Sequence, residues 1–189
     1  MRLFTAIELT DAARAAIAAE QKRVVEALDR ESGRLRLVRP DQMHLTLVFI
    51  GEVDEGRGAA IAAVMAADIP IAPFRIGLGG VGAFPPRGAP RVLYMDVVEG
   101  ADAAIELHQF VSDRLAEVAV PRDQRKFRPH LTLGRWRDSR PSDRPRSSTR
   151  AEITALDATS VTLFQSRLSP TGPAYTQVAA ARLACPSPC

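Results

Sequence analysis

The feature that most constrains this chain is a repeat. His44-Leu45-Thr46-Leu47 recurs as His130-Leu131-Thr132-Leu133, 86 positions later, and two of the three histidines stand in it. Along a strand, side chains alternate between faces, so each copy turns an imidazole and a hydroxyl one way and two leucines the other. The leucines are then core residues and the His–Thr pairs line a surface. A fold that satisfies both copies at once brings together two equivalent strands, one from each half of the chain, with the imidazoles on either side of a common groove. A lone strand histidine is usually structural; a pair in identical settings argues for shared chemistry.

The segments around the two copies read as a mixture of helices and short strands. Residues 2–9 alternate as a strand, and Thr10 or Asp11 caps a helix to about residue 30, with Ala13, Ile17, Val24 and Leu28 near helical spacing. A strand over 44–50, a helix over 55–67 and a strand over 74–78 follow, then a Gly- and Pro-rich loop over 79–90 and a strand over 91–98. A helix over 101–118 buries Leu107, Val111, Leu115 and Val118 and leads to a strand over 130–137. The polar, turn-forming run 138–148 is expected to be a mobile loop, with closing strands over 159–164 and 174–183. This order suits an α+β fold with mostly antiparallel sheets.

At 189 residues, 46% hydrophobic and 25% charged, the chain has the composition of one globular catalytic unit with a real core. We take 1–184 as a single domain and 185–189 as a tail, whose Cys185 and Cys189 are the only cysteines and have no partners for a metal site. There is no apolar stretch of spanning length and no leader-like N-terminus, so a cytoplasmic protein without a membrane partner is expected. No heptad or apolar stripe demands a second subunit, and monomer is the default. The net charge is only +3, but ten basic residues fall between Arg122 and Arg150 against Asp123, Asp138 and Asp143. Guanidinium forks match phosphate oxygens, so an anionic partner is one reading of this run and a solvated basic loop is the other.

Histidine has an unperturbed pKa near ~6.5, so one imidazole can take a proton and another give one near neutral pH. Two imidazoles flanking a phosphate suit the opening of a cyclic phosphodiester. Hydroxyls would donate to its non-bridging oxygens and an arginine would offset developing charge. Two histidines without a nearby carboxylate or third histidine make an incomplete ligand set, so no metal or other cofactor is expected. His108, between Leu107 and Val111, reads as an ordinary helix-flank residue.

The chain resembles the two-histidine (2H) phosphoesterases, and among them the RNA 2',3'-cyclic phosphodiesterases, also called 2'-5' RNA ligases. The likeness runs through RLFTAIEL at 2–9, HLTLVFIGEV at 44–53, RVLYMDV at 91–97, FRPHLTLGR at 127–135 and SRLSPTGPAY at 166–175. It implies a bilobal fold of two pseudo-symmetric lobes, helices outside, with both motifs lining a central cleft, and RNA bearing a 2',3'-cyclic phosphate end as substrate. It further implies His44 as general acid and His130 as general base, although the residues alone allow the exchange. Thr46 and Thr132 would be phosphate ligands and Arg135 a stabiliser of the transition state. Strict alternation from His130 would turn Arg135 away from the cleft, and a bulge at Gly134 would return it. Phe49, Phe84, Phe127 and Trp136 are candidates for stacking a terminal base, Trp136 and Phe127 foremost. A non-catalytic RNA-binding module and an enzyme for small cyclic phosphates remain the competing readings.

Overall fold

The computed structural model describes residues 1–28, 35–145, 151–169 and 172–185. Among these residues, two antiparallel sheets are built from nine strands in chain order: β1 (Arg2–Ile7), β2 (Leu35–Leu37), β3 (Leu45–Glu52), β4 (Phe74–Phe84), β5 (Val92–Glu99), β6 (His130–Trp136), β7 (Glu152–Ala158), β8 (Ser160–Ser169) and β9 (Gly172–Arg182). The first sheet has the order β3-β1-β8-β9 and the second β2-β6-β5-β4-β7. Each motif therefore opens a strand of a different sheet. β3 and β6 come within 8 Å of each other, Cα to Cα, so the two motif strands adjoin where the sheets meet. The fold is α+β, as the sequence implied.

Among the described residues, three α-helices cover the sheets: α1 (Asp11–Ala27), α2 (Glu55–Val64) and α3 (Ala101–Ala116). Thr10 caps α1 by accepting the Ala13 N–H, and Asp54 caps α2 by accepting that of Arg57. α3 has no side-chain cap and starts instead from Gly100, whose φ is 77°. A Cβ there would lie 2.2 Å from the Arg75 carbonyl oxygen, so both the backbone angle and the close approach require glycine. The helices bury Ala13, Ile17 and Val24 from α1, Ile61 from α2, and Leu107, Val111 and Leu115 from α3, in one contiguous core with the inward leucines of both motifs.

Three expectations need correction. The predicted loop 79–90 begins six residues later, because β4 continues through its glycines to Phe84. Here glycine serves close approach and not turning: a Cβ on Gly79 would lie 2.1 Å from the Ala151 carbonyl oxygen, and one on Gly82 2.5 Å from the Tyr94 ring. β2 and β7 were not foreseen, being a three-residue edge and a strand of mixed polarity. Finally, the described part of the run 138–148 is anchored. Ser139 donates to the Pro90 carbonyl, the Arg140 N–H donates to Asp143 at 2.7 Å, and Arg144 donates to the carbonyls of Ala83, Pro85 and Gly88. Residues 146–148 lie outside the described residues, as does the tail after Cys185.

The same irregularity interrupts both motif strands. In β3, Val48 pairs with Thr5 and Thr46 with Ala6, leaving Leu47 as the extra residue; in β6, Gly134 pairs with Leu93 and Thr132 with Tyr94, leaving Leu133. Each motif thus ends in a β-bulge. A bulge frees backbone groups from the ladder, and when buried these need other partners. Thr5, fully buried, accepts the Val48 N–H at 3.1 Å, and buried Gln21 of α1 donates to the Leu133 carbonyl at 2.8 Å and the Val38 carbonyl at 2.9 Å. Replacing Gln21 with methionine keeps the volume and removes both bonds. Urea unfolding of that variant is expected to show a loss of about 1–3 kcal/mol; an unchanged midpoint would mean that the bulge does not need this side chain.

Candidate functional site

The register fixes which side chains share the groove. In β5, Val92, Tyr94 and Asp96 alternate onto one face, and their β6 partners are Arg135, Thr132 and His130. Directly opposed residues of an antiparallel pair project to the same side. The bulge at Leu133 therefore puts His130, Thr132 and Arg135 on one face, while Leu131, Leu133 and Trp136 are buried on the other. In the first sheet the corresponding face carries Thr46 opposite Ala6, and Phe49 opposite Phe4. Phe49 and Arg135 occupy the same place, five residues after each histidine.

Both histidines are held in the same way. His44 Nδ1 lies 2.8 Å from the Gln42 carbonyl oxygen, and His130 Nδ1 lies 2.8 Å from that of Arg128, each two residues upstream. A carbonyl only accepts, so each Nδ1 carries a hydrogen and each Nε2 is left for the groove. The turn at Pro40–Gln42 that carries the first carbonyl is itself clamped: Arg14 of α1 donates to the Pro40 and Met43 carbonyls at 3.1 and 3.0 Å, and Gln42 Nε2 donates to Pro173 at the start of β9.

Aromatic rings wall both imidazoles. His44 stacks on Phe4 with centroids 4.7 Å apart and meets Tyr175 edge-on at 5.3 Å. His130 meets Phe84 and Tyr94 edge-on at 5.2 and 5.7 Å, and those two rings stack on each other at 4.2 Å. Arg128 lies over both rings while pairing with Asp96 at 2.8 Å.

This desolvation disfavours imidazolium. Burial lowers the His44 pKa to about 4, opposed by the Gln42 carbonyl and reinforced by the Arg14 charge. Burial also lowers that of His130; the Arg128 carbonyl raises it, the charges of Arg135 and Arg128 lower it and that of Asp96 raises it. Burial raises the Tyr175 pKa, with Arg135 and Arg2 acting against it. Arg135 thus reaches His130 on its own sheet and Tyr175 on the other, which places its charge between the two halves.

Of the five residues nominated from sequence, His130, Thr132 and Arg135 share one face of the second sheet, and Thr46 lies in β3 of the first, with His44 just before it against Phe4 and Tyr175. The aromatic nominations fare unevenly. Trp136 is in the core, on the side away from His130. Phe127 stacks in parallel on His108, centroids 4.0 Å apart, and packs against the core. Phe84 flanks His130, and Phe49, 58% exposed, has the Arg2 guanidinium 4.9 Å from its ring centre. Phe4, Tyr94 and Tyr175 were missed, although Tyr94 and Tyr175 both stand in segments that carried the resemblance. Three of the ten basic residues in the run are engaged in ion pairs among the described residues: Arg122 pairs with Asp113, Arg125 with Asp123 and Arg128 with Asp96.

The sequence profile of the 2'-5' RNA ligase superfamily matches residues 10–167. The chain belongs to that superfamily. Members similar to it include the RNA 2',3'-cyclic phosphodiesterase of Archaeoglobus fulgidus, 34% identical over 177 residues that cover 93% of this chain and 96% of that protein. The one of Thermus thermophilus is also 34% identical, over 93% of this chain and 87% of its own length. Among solved structures, a T. thermophilus protein superposes with a TM-score of 0.77 at 31% identity, covering 97% of this chain and 98% of that one. E. coli LigT complexed with 3'-AMP superposes with a TM-score of 0.75 at 25% identity, covering 96% and 97%. These likenesses fit a bilobal arrangement of the superfamily fold, the two sheets each contributing one motif.

Proposed function

We propose that this protein is a hydrolase that opens 2',3'-cyclic phosphate termini of RNA to 2'-phosphomonoesters, with His44 and His130 as the acid/base pair. The observation that carries the reading is the matched anchoring of the two imidazoles, each bound through Nδ1 and each beside a motif threonine. The relatives named as RNA 2',3'-cyclic phosphodiesterases support the substrate class.

With the phosphate between the motifs, Thr46 and Thr132 donate to its non-bridging oxygens and Arg135 offsets the charge that builds there. Neutral His130 takes a proton from water through Nε2 as the water oxygen bonds to phosphorus. Protonated His44 gives its proton to O3' as the P–O3' bond breaks. The product carries a 2'-phosphate and a free 3'-hydroxyl, and the proton returns from His130 to His44 through solvent. A 5'-hydroxyl in place of the water would form a 2'-5' linkage by the same two transfers, which is how ligation enters as a side reaction.

The test is turnover of a short oligoribonucleotide ending in a 2',3'-cyclic phosphate, in EDTA. Expected is conversion to a 2'-phosphate end, read by resistance of the product to a 3'-specific phosphatase. A 3'-phosphate product or no turnover would overturn the proposal.

A further inference from the structure

We propose that Arg36, together with Arg135, binds the first internucleotide phosphate of the RNA, the one immediately 5' of the nucleoside that carries the cyclic phosphate. The proposal rests on the functional reading above and adds a second anion site to it.

Arg36 is the middle residue of β2, the edge strand beside β6, and its direct cross-strand partner is Arg135. Leu35 and Leu37, its neighbours, point to the other face, where a Cβ on Gly134 would meet both. Arg36 and Arg135 therefore stand side by side on the face that carries Thr132 and His130. Like charges directly opposed in a sheet are destabilising. Neither guanidinium meets a carboxylate among the described residues, whereas Arg23, Arg39, Arg75, Arg122, Arg125 and Arg128 all do. A side-by-side arginine pair that meets no carboxylate among the described residues is a site for an anion that both forks can share.

Position says which anion. The cyclic phosphate belongs between the histidines; Arg36 lies one strand beyond β6, about 4.8 Å to the side of Arg135. The next negative charge along the RNA is the phosphodiester 5' of the terminal nucleoside. Gly172, the first residue of β9, borders the same spot, since a Cβ on it would lie 3.5 Å from Arg36 Nη2 and 3.6 Å from Gln42 Nε2. Gln42 also supplies the carbonyl that holds His44, so the second anion site and the first histidine share a wall.

The experiment compares kcat/KM on a nucleoside 2',3'-cyclic phosphate, on a diribonucleotide ending in the cyclic phosphate, and on that diribonucleotide with a methylphosphonate linkage, which has no charge. Arg36→Ala is expected to cost about tenfold more on the charged diribonucleotide than on the other two substrates, chiefly through KM. Arg36→Lys should recover part of the loss. The thermal midpoint should stay or rise, as like-charge repulsion is relieved. An equal penalty on all three substrates, or none, overturns the proposal. Fluorescence anisotropy of a labelled decaribonucleotide across a salt series separates the two readings: if the parent turns over no substrate yet binds this RNA with a salt slope that Arg36→Ala reduces by about one, the site stands without the activity. An unchanged slope, or no binding by the parent, ends the Arg36 proposal as well.

Discussion

Alanine in place of His44 or of His130 is expected to lower kcat on an RNA 2',3'-cyclic phosphate by about 10²–10⁴, the range for loss of a positioned general acid or base. The double variant should fall little further than the worse single one, because the two groups act in one concerted exchange. The roles can be separated with a leaving group that needs no proton. If His44 is the acid, replacing the bridging O3' by sulfur should restore much of the rate of His44→Ala and little of that of His130→Ala. Reversal of that pattern would exchange the assignments, and full activity in either variant would remove the histidine from the mechanism. Both imidazoles are walled by rings, so His44→Gln and His130→Gln serve as controls that keep more of the packing. An anion entering between them favours imidazolium, so substrate itself helps supply the protonated acid that the empty groove disfavours.

The His–Thr side of each motif was legible because alternation by two is a strong constraint over four residues, and the leucines had only the core to go to. Arg135 was legible only through resemblance and a glycine. Its return to the groove depends on a bulge, and the pairing that makes the bulge is with Leu93 and Tyr94, some 40 positions away along the chain. Three-residue β2 carries no periodicity of its own, so neither the strand nor the Arg36–Arg135 pair that it creates could be read in advance. The extension of β4 was misread for a related reason. Glycine signals a turn and a close approach alike, and only the Tyr94 ring over Gly82 and the Ala151 carbonyl beside Gly79 decide between them. Trp136 stands beside the motif in sequence, but the bulge that turns Arg135 outward turns Trp136 inward. Charge counting over residues 122–150 could not show which arginines are already paired, because the acids that meet Arg122 and Arg128 come from α3 and β5, outside the run.

The protein is expected to lose stability on acidification earlier than carboxylate titration alone would bring about, with His44 the largest single cause. In the unfolded chain an exposed histidine titrates near ~6.5. In the folded protein burial lowers His44 to about 4, so between these values the unfolded state binds the additional proton. Stability then rises with pH across that window; it is fully present above the unfolded value and is lost as pH falls through it toward 4. A shift of that size corresponds to a loss of about 3 kcal/mol by pH 4, more than a hundredfold in the folding equilibrium. His130 and His108 are displaced in the same direction by burial, and add to the loss. Urea unfolding at pH 7 and at pH 4, in the parent and in His44→Gln, isolates the effect. The drop between the two pH values should be smaller in the variant by about 3 kcal/mol, whatever the substitution does to stability at pH 7. Equal drops would mean that His44 is solvated well enough to take a proton in the folded state, and the dry, ring-walled setting argued for its imidazole would have to be abandoned.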